Sequence, residues 1–313
     1  MKIKKPSFWD YKRPNFLSYI LLPFTIIIII NNLLISFRKN NKKNNNIKCI
    51  CLGNIYIGGT AKTPLSIKIS DVLNKLNYKT AIIKKFYKDQ IDEQKLLSIK
   101  NKLYCSRARV SSLNQAIKDN MSIAIFDDGL QDYSINYDLS FVCFNSLKWI
   151  GNGQLIPAGP LREKIKSLLK YDAVFLTGNG EDNEDLKLAI KEVSLDIKIF
   201  EASYEANNLE KFNKNDKFII FSGIGNPESF KATLIKNKFN IIKELNFPDH
   251  YQYTKNDIMK IKSLAKESNA KILTTEKDFV KINNNNSDGI DFLEINLIIK
   301  NENNLINFIN SKI

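Results

Sequence analysis

The first strong pattern along the chain is an uninterrupted apolar run. Pro14 to Phe37 contains no charged side chain, and at a helical rise of about 1.5 Å per residue it is long enough to cross a bilayer core. Pro23 predicts a kink, Asn31 and Asn32 put two amides near the far end, and basic residues flank both sides (Lys2, Lys4, Lys5, Lys12, Arg13; Arg38, Lys39, Lys42, Lys43). A charge bias that selects no side suits a membrane-associated helix dipping into one leaflet. A buried core helix and a cleaved signal are the competing readings, although NNLLISF lacks a small-residue cleavage site. The polar, basic run RKNNKKNNN, from Arg38 to Asn46, then reads as a linker on an anionic membrane face.

Beyond it the pattern alternates. IKCICL is a short apolar run, GNIYIGGTAKTP is a glycine-containing loop, and PLSIKISDVLNKL is amphipathic with helical spacing, which predicts strand, loop and helix. KTAII, SIAIF, LSFVCF and AVFL follow as strands, separated by helical patterns such as REKIKSLLK. A second series, KFIIFSG, PESFKATLIKNK, NIIKEL, TKNDIMKIKSLAKES and KILTT, begins near Lys217 after the polar stretch EANNLEKFNKND. Strands alternating with helices predict an α/β fold with a mostly parallel sheet flanked by helices, P-loop NTPase-like in its first strand, loop and helix. The expected division is an N-terminal membrane-associated helix (1–37), a P-loop-like core (38–205) and a smaller C-terminal α/β domain (206–313).

Composition narrows the function. The 313 residues are 43% hydrophobic and 26% charged, which excludes disorder for most of the length. A net charge of +14 favours anionic partners: phosphates, nucleic acid or acidic lipid. No basic helix, aromatic-rich RNA-binding strand or zinc pattern supports nucleic acid. Cys49, Cys51, Cys105 and Cys143 have no CxxC spacing and His250 is the single histidine, so a structural metal lacks its usual ligands. Cys49 and Cys51 alternate within an apolar run, as reduced core thiols in a reducing compartment do.

The candidate chemistry begins at Gly58, Gly59, Thr60, Ala61, Lys62 and Thr63. Backbone N–H groups at a helix start offer fixed donors to phosphate oxygens, Lys62 would bridge the outer phosphates, and Thr63 would reach Mg2+. Against GxxxxGK[ST], Tyr56 stands for the first glycine and Ala61 for the second, so the generic match is weak. SIAIFDDG restores part of it, because a strand ending in Asp127 and Asp128 supplies the carboxylates that magnesium beside a nucleotide needs. An ordinary turn followed by an acidic strand end is the bland alternative.

GNIYIGGTAKTP, FDDGLQD, GNGQLIPAGPLRE, FSGIGNPESF, FPDH and TTEKD, spread from residue 53 to 278, together resemble the tetraacyldisaccharide 4′-kinase family, which phosphorylates the lipid A precursor. FWDY followed by an apolar helix resembles that family's membrane anchor. The resemblance implies ATP-dependent, Mg2+-assisted phosphorylation of the 4′-hydroxyl of an acylated glucosamine disaccharide at the cytoplasmic face of the bacterial inner membrane. The expected partners are that lipid, ATP and the membrane surface, without nucleic acid, and the chain is expected to act as a monomer. Lys62 and Thr63 match the phosphate-loop lysine and hydroxyl, Asp127 and Asp128 the acidic pair on the metal side, and Arg162 and Glu163 residues near the γ-phosphate and Mg2+. The implied base pairs Asp92 of QIDEQKLL with His250 of FPDH. These two are distant in sequence and fall in different expected domains, so domain closure would have to join them. The chain departs from the family pattern where SRGY becomes KKFY (Lys84 to Tyr87), GDEP becomes IDEQ, DDGFQH ends in Asp132, and the glycine before the lysine is Ala61. Another membrane-associated P-loop NTPase is the alternative, although no NKxD guanine motif stands in a suitable position.

Overall fold

The computed structural model describes residues 5–36, 47–88, 90–178, 182–282 and 286–313. The segment read as a linker, Arg38–Asn46, lies outside the described residues. The chain forms two compact units. The larger comprises Met1–Lys85, Asn101–Ala202 and Ile299–Ile313; the smaller comprises Phe86–Lys100 and Ser203–Ile298.

The larger unit is built on β1 (Lys48–Gly53), β2 (Thr80–Lys85), β3 (Leu103–Ser106), β4 (Ile123–Asp127), β5 (Leu139–Asn145) and β6 (Ala173–Gly178). They pair in parallel in the order β6-β5-β1-β4-β2-β3, and β7 (Lys198–Ala206) and β12 (Ile295–Ile299) extend the sheet beyond β6. A parallel sheet covered on both faces turns every residue of a central strand inward, so its strands read as continuous apolar runs. All seven residues of β5 and all six of β6 are buried accordingly. Cys49, Cys51 and Cys143 are buried free thiols in this core, and Cys105 is a half-buried one. The helix after β1 (Lys62–Lys75) buries Leu65, Ile69, Val72 and Leu73, the i, i+4, i+7, i+8 stripe of an amphipathic helix, and packs on β1, β2 and β4.

At the N-terminus, α1 (Phe16–Leu21) and α2 (Thr25–Ser36) are joined by a 3-10 turn, Leu22–Phe24, that contains Pro23. The interruption falls where proline removes a donor from the helical ladder. Phe16–Leu34 is long and apolar enough to cross a membrane. Its large side chains face outward, with Phe16 77% and Ile27 65% exposed, which argues against the buried-core reading. The segment is nonetheless fixed to the larger unit: Trp9 Nε1 donates to Pro157 O at 3.0 Å, Asn152 Nδ2 donates to Ser18 Oγ at 2.9 Å, and Asn32 Nδ2 donates to Arg162 O at 2.9 Å.

The smaller unit has four parallel strands, β8 (Lys217–Ser222), β9 (Asn240–Asn246), β10 (Lys271–Thr275) and β11 (Ile290–Leu293), in the order β11-β10-β8-β9. Strand period 2 is visible in β8. Phe218 and Ile220 enter one apolar cluster with Phe230 and Leu234, while Ile219 and Phe221 enter another with Ile258, Ile261 and Ile272. Its helix Lys255–Glu267 starts with a capping box in which Thr254 and Asp257 satisfy each other's backbone N–H groups.

Several sequence expectations change. REKIKSLLK is helical only as a 3-10 stretch, Ile165–Lys170. Residues 299–313, placed by sequence in the C-terminal domain, belong to the larger unit, and the helix Ile91–Lys100, placed in the core domain, belongs to the smaller one.

Candidate active site

In the larger unit, functional side chains gather at the carboxyl ends of β1, β2 and β4, where open α/β sheets place their ligands. Gly53 closes β1 against Leu130, whose Cγ would lie 2.5 Å from an added Cβ. The loop that follows is braced from within, since Asn54 Nδ2 donates to Tyr56 O at 2.6 Å. Gly58 has φ +145° and Ala61, immediately before the helix, has φ 60° and ψ 21°. Ala61 therefore takes a positive φ, a conformation that costs a residue with a Cβ about 1 kcal/mol relative to glycine.

Thr63 Oγ1 donates to Asp127 Oδ2 at 3.0 Å, and Lys62 Nζ lies 3.5 Å from Asp128 Oδ1. Arg162 Nη1 is also 3.5 Å from Asp128 Oδ1 and donates to Gln131 Oε1 at 3.2 Å. Glu163 is buried, with Oε1 accepting from Gln131 Nε2 at 3.0 Å and from Tyr171 OH at 2.9 Å. The segment bearing Arg162 and Glu163 is tied to the loop after β1 by Arg162 N to Ile55 O, 2.7 Å, and Ile57 N to Pro160 O, 2.9 Å. Burial alone would raise the Asp128 carboxyl, but Lys62, Arg162, Lys84 and Arg109 outweigh it and hold Asp128 below the usual carboxylate range. Lys62, Thr63, Asp127, Asp128 and Arg162 thus come together, Glu163 joins them through Gln131, and Gly58 to Ala61 form the loop that leads to Lys62. Sequence reasoning did not assign Lys84 or Arg109 to it. Lys84 Nζ donates to Asp127 Oδ2 at 2.6 Å, and Arg109 donates to the Asp128 carbonyl at 2.5 Å.

The donor set fits a divalent cation beside phosphate. Asp127 Oδ1 and Asp128 Oδ1 are buried without a hydrogen-bond partner, next to the Thr63 hydroxyl. Among the described residues no three His, Cys, Asp or Glu side chains form a metal cluster by themselves. The arrangement suits a hard cation that shares its coordination with phosphate and water.

The smaller unit holds the second group. His250, at φ 58°, places Nδ1 3.0 Å and 3.1 Å from the two carboxylate oxygens of Asp92. Both residues lie within this one unit, so no domain closure is needed to join them. Lys277 Nζ is 3.6 Å and Lys281 Nζ 3.7 Å from Asp92 Oδ2. Lys281 is itself fixed by Asp278 at 2.6 Å, and Asp278 accepts from Gly223 N, Tyr253 OH and Thr275 Oγ1. Burial would raise the Asp92 carboxyl, but the His250 hydrogen bond and the Lys277 and Lys281 charges overcome it and hold Asp92 ionised below its ordinary range. The family segments FSGIG, FPDH and TTEKD therefore converge on one buried network. Lys277 and Lys281 escaped the sequence reading because a lysine in a polar stretch looks like solvated charge until its burial is seen.

The fold defines a class: α/β proteins with a parallel sheet, a lysine-bearing loop and paired carboxylates at its carboxyl edge, and here one apolar N-terminal helix long enough to cross a membrane. Within that class the chain belongs to the tetraacyldisaccharide-1-P 4′-kinase family, whose model matches residues 15–313. It is 48% identical to the tetraacyldisaccharide 4′-kinase of Pelagibacter ubique over 98% of this chain and 97% of that one. It is 33% identical to that of Rickettsia bellii over 97% of each chain. The crystal structure of LpxK from Aquifex aeolicus in complex with ATP shares the fold, with a TM-score of 0.71 and 23% identity over 94% of this chain and 99% of that one. Family membership makes the chain an ATP-binding kinase.

Proposed function

We propose that this chain transfers the γ-phosphate of ATP to the 4′-hydroxyl of a tetraacyldisaccharide 1-phosphate, a step of lipid A biosynthesis, at the cytoplasmic face of the bacterial inner membrane. The observation that carries this reading is the cluster in which Lys62 and Arg162 face Asp128 while Thr63 holds Asp127 at the carboxyl edge of the sheet. Residues 58–63 act as a P-loop: backbone donors and Lys62 bind the nucleotide phosphates, and Arg162 adds charge where it develops during transfer. Thr63, Asp127, Asp128 and Glu163 would hold Mg2+, which when bound neutralises phosphate charge.

A sugar hydroxyl needs a proton acceptor or an aiming group as the phosphorus–oxygen bond forms. Asp92 is fully enclosed and held as an anion, whereas the His250 side chain remains 13% exposed, so the imidazole reaches substrate and Asp92 orients it through Nδ1. Nε2 then takes the proton. The exposed apolar face of Phe16–Leu34 supports a lipid-facing position for the enzyme. Lys62→Ala should lower turnover by roughly 10²-fold or more, since a charge aimed at a transferring phosphoryl group is worth several kcal/mol. Steady-state kinetics with Mg·ATP and acylated disaccharide would show it. Near wild-type turnover in that variant would remove residues 58–63 from the phosphate site.

A further inference from the structure

The strand-end residue Lys84 has no part in the mechanism above. It lies opposite Asp127 in the β2–β4 register, is 3% exposed, and places Nζ 2.6 Å from Asp127 Oδ2. The same oxygen accepts from the Thr63 hydroxyl at 3.0 Å, leaving Oδ1 as the oxygen without a hydrogen bond. Lys84 also stands where the family resemblance expects a serine, so the pairing adds one positive charge to the site.

That charge changes the electrostatic balance. Lys62, Lys84, Arg109 and Arg162 all act on Asp128, and the carboxylates of the cluster are Asp127, Asp128, Glu163, joined through Gln131, and Asp132, which lies 3.1 Å from Arg109. With Lys84 the cations equal the carboxylates before any metal arrives; without it the carboxylates would be in excess and would repel a polyphosphate until a divalent ion was bound. A divalent ion beside Asp127 meets a neighbouring ammonium of like charge, and such repulsion in a partly buried site is worth at least about a factor of ten in affinity. A pair formed only for packing would leave both affinities unaltered.

We propose that Lys84 is a built-in cation of the nucleotide site, a positioning residue that holds Asp127 through Oδ2, lets the chain bind ATP phosphates without a divalent ion, and weakens its hold on Mg2+. The proposal rests on the reading that residues 58–63 and Asp127 form the phosphate and metal site. Calorimetric titration of the full chain in detergent micelles tests it, first with ATP in the presence of a chelator, then with Mg2+ added to the ATP-loaded protein. Wild type should bind metal-free ATP within roughly tenfold of its affinity for Mg·ATP. Lys84→Ser, which keeps a hydroxyl beside Asp127, and Lys84→Met should each bind metal-free ATP roughly tenfold or more weakly and bind Mg2+ more tightly by a similar factor. A wild type that binds Mg·ATP but not metal-free ATP overturns the proposal while sparing the reading beneath it. Binding of neither form overturns both. Variants with unchanged ATP and Mg2+ affinities, or with Mg2+ affinity lost in step with melting temperature, reduce Lys84 to a structural ion pair.

Discussion

Ala61 is the clearest case of a residue working against its own backbone. Its φ of 60° at the start of the helix is the conformation a glycine adopts without a Cβ penalty, and the turn imposes it because Lys62 and Thr63 must enter the helix beside Asp128 and Asp127. Ala61→Gly should therefore stabilise the fold by about 1 kcal/mol, offset in part by the freedom glycine gains in the unfolded chain. Chemical denaturation should report a higher midpoint at unchanged slope; a lower midpoint would mean that the alanine methyl makes a contact outweighing the strain. The strain was legible in the sequence, since Ala61 stands where a glycine belongs before the lysine. The Lys84–Asp127 pair was not legible, because strand pairing between β2 and β4 creates it across 43 positions of chain. Asp92 and His250 were recognisable from their motifs, but their burial and the two lysines behind them come from packing of the smaller unit.

Among the elements, the buried parallel strands were the easiest to read, because residues enclosed on both faces are apolar without interruption, as in LSFVCF and AVFL. The short edge strand β3 and the strand β7, only partly buried, carry no such run. REKIKSLLK has helical spacing, yet it is held as a 3-10 stretch with Ser167 N bonded to Lys164 O. The apolar N-terminal segment shows a limit of pattern reading of another kind. By pattern it is an anchor that can be removed, leaving nucleotide binding in the α/β body. By contact it supports the site: Ile29 packs on the cluster of Tyr56, Leu155 and Leu161, and Asn32 holds the Arg162 carbonyl. Removing residues 1–36 should abolish sedimentation with vesicles and also diminish the rise in melting temperature produced by ATP. A truncated chain that keeps the full ATP-induced shift would show that the segment serves as an anchor alone.

For the whole molecule, the proposed function assigns phosphate binding to residues of the larger unit and acceptor activation to residues of the smaller. The contact between His250 and Asp92 lies wholly in the smaller unit, so the pair should act as one device. His250→Ala and Asp92→Ala should each lower kcat by roughly 10²–10⁴-fold with little effect on ATP affinity, and the double variant should fall far short of the product of the two losses. Independent, multiplicative losses would mean that the two side chains serve different steps. The most direct measurement is transfer of ³²P from γ-labelled ATP to an acylated glucosamine disaccharide 1-phosphate, with the labelled position identified in the product. The account predicts label at the 4′-oxygen in wild type and its near disappearance in both Lys62→Ala and His250→Ala. Label at another position, or undiminished 4′ transfer by either variant, would contradict it.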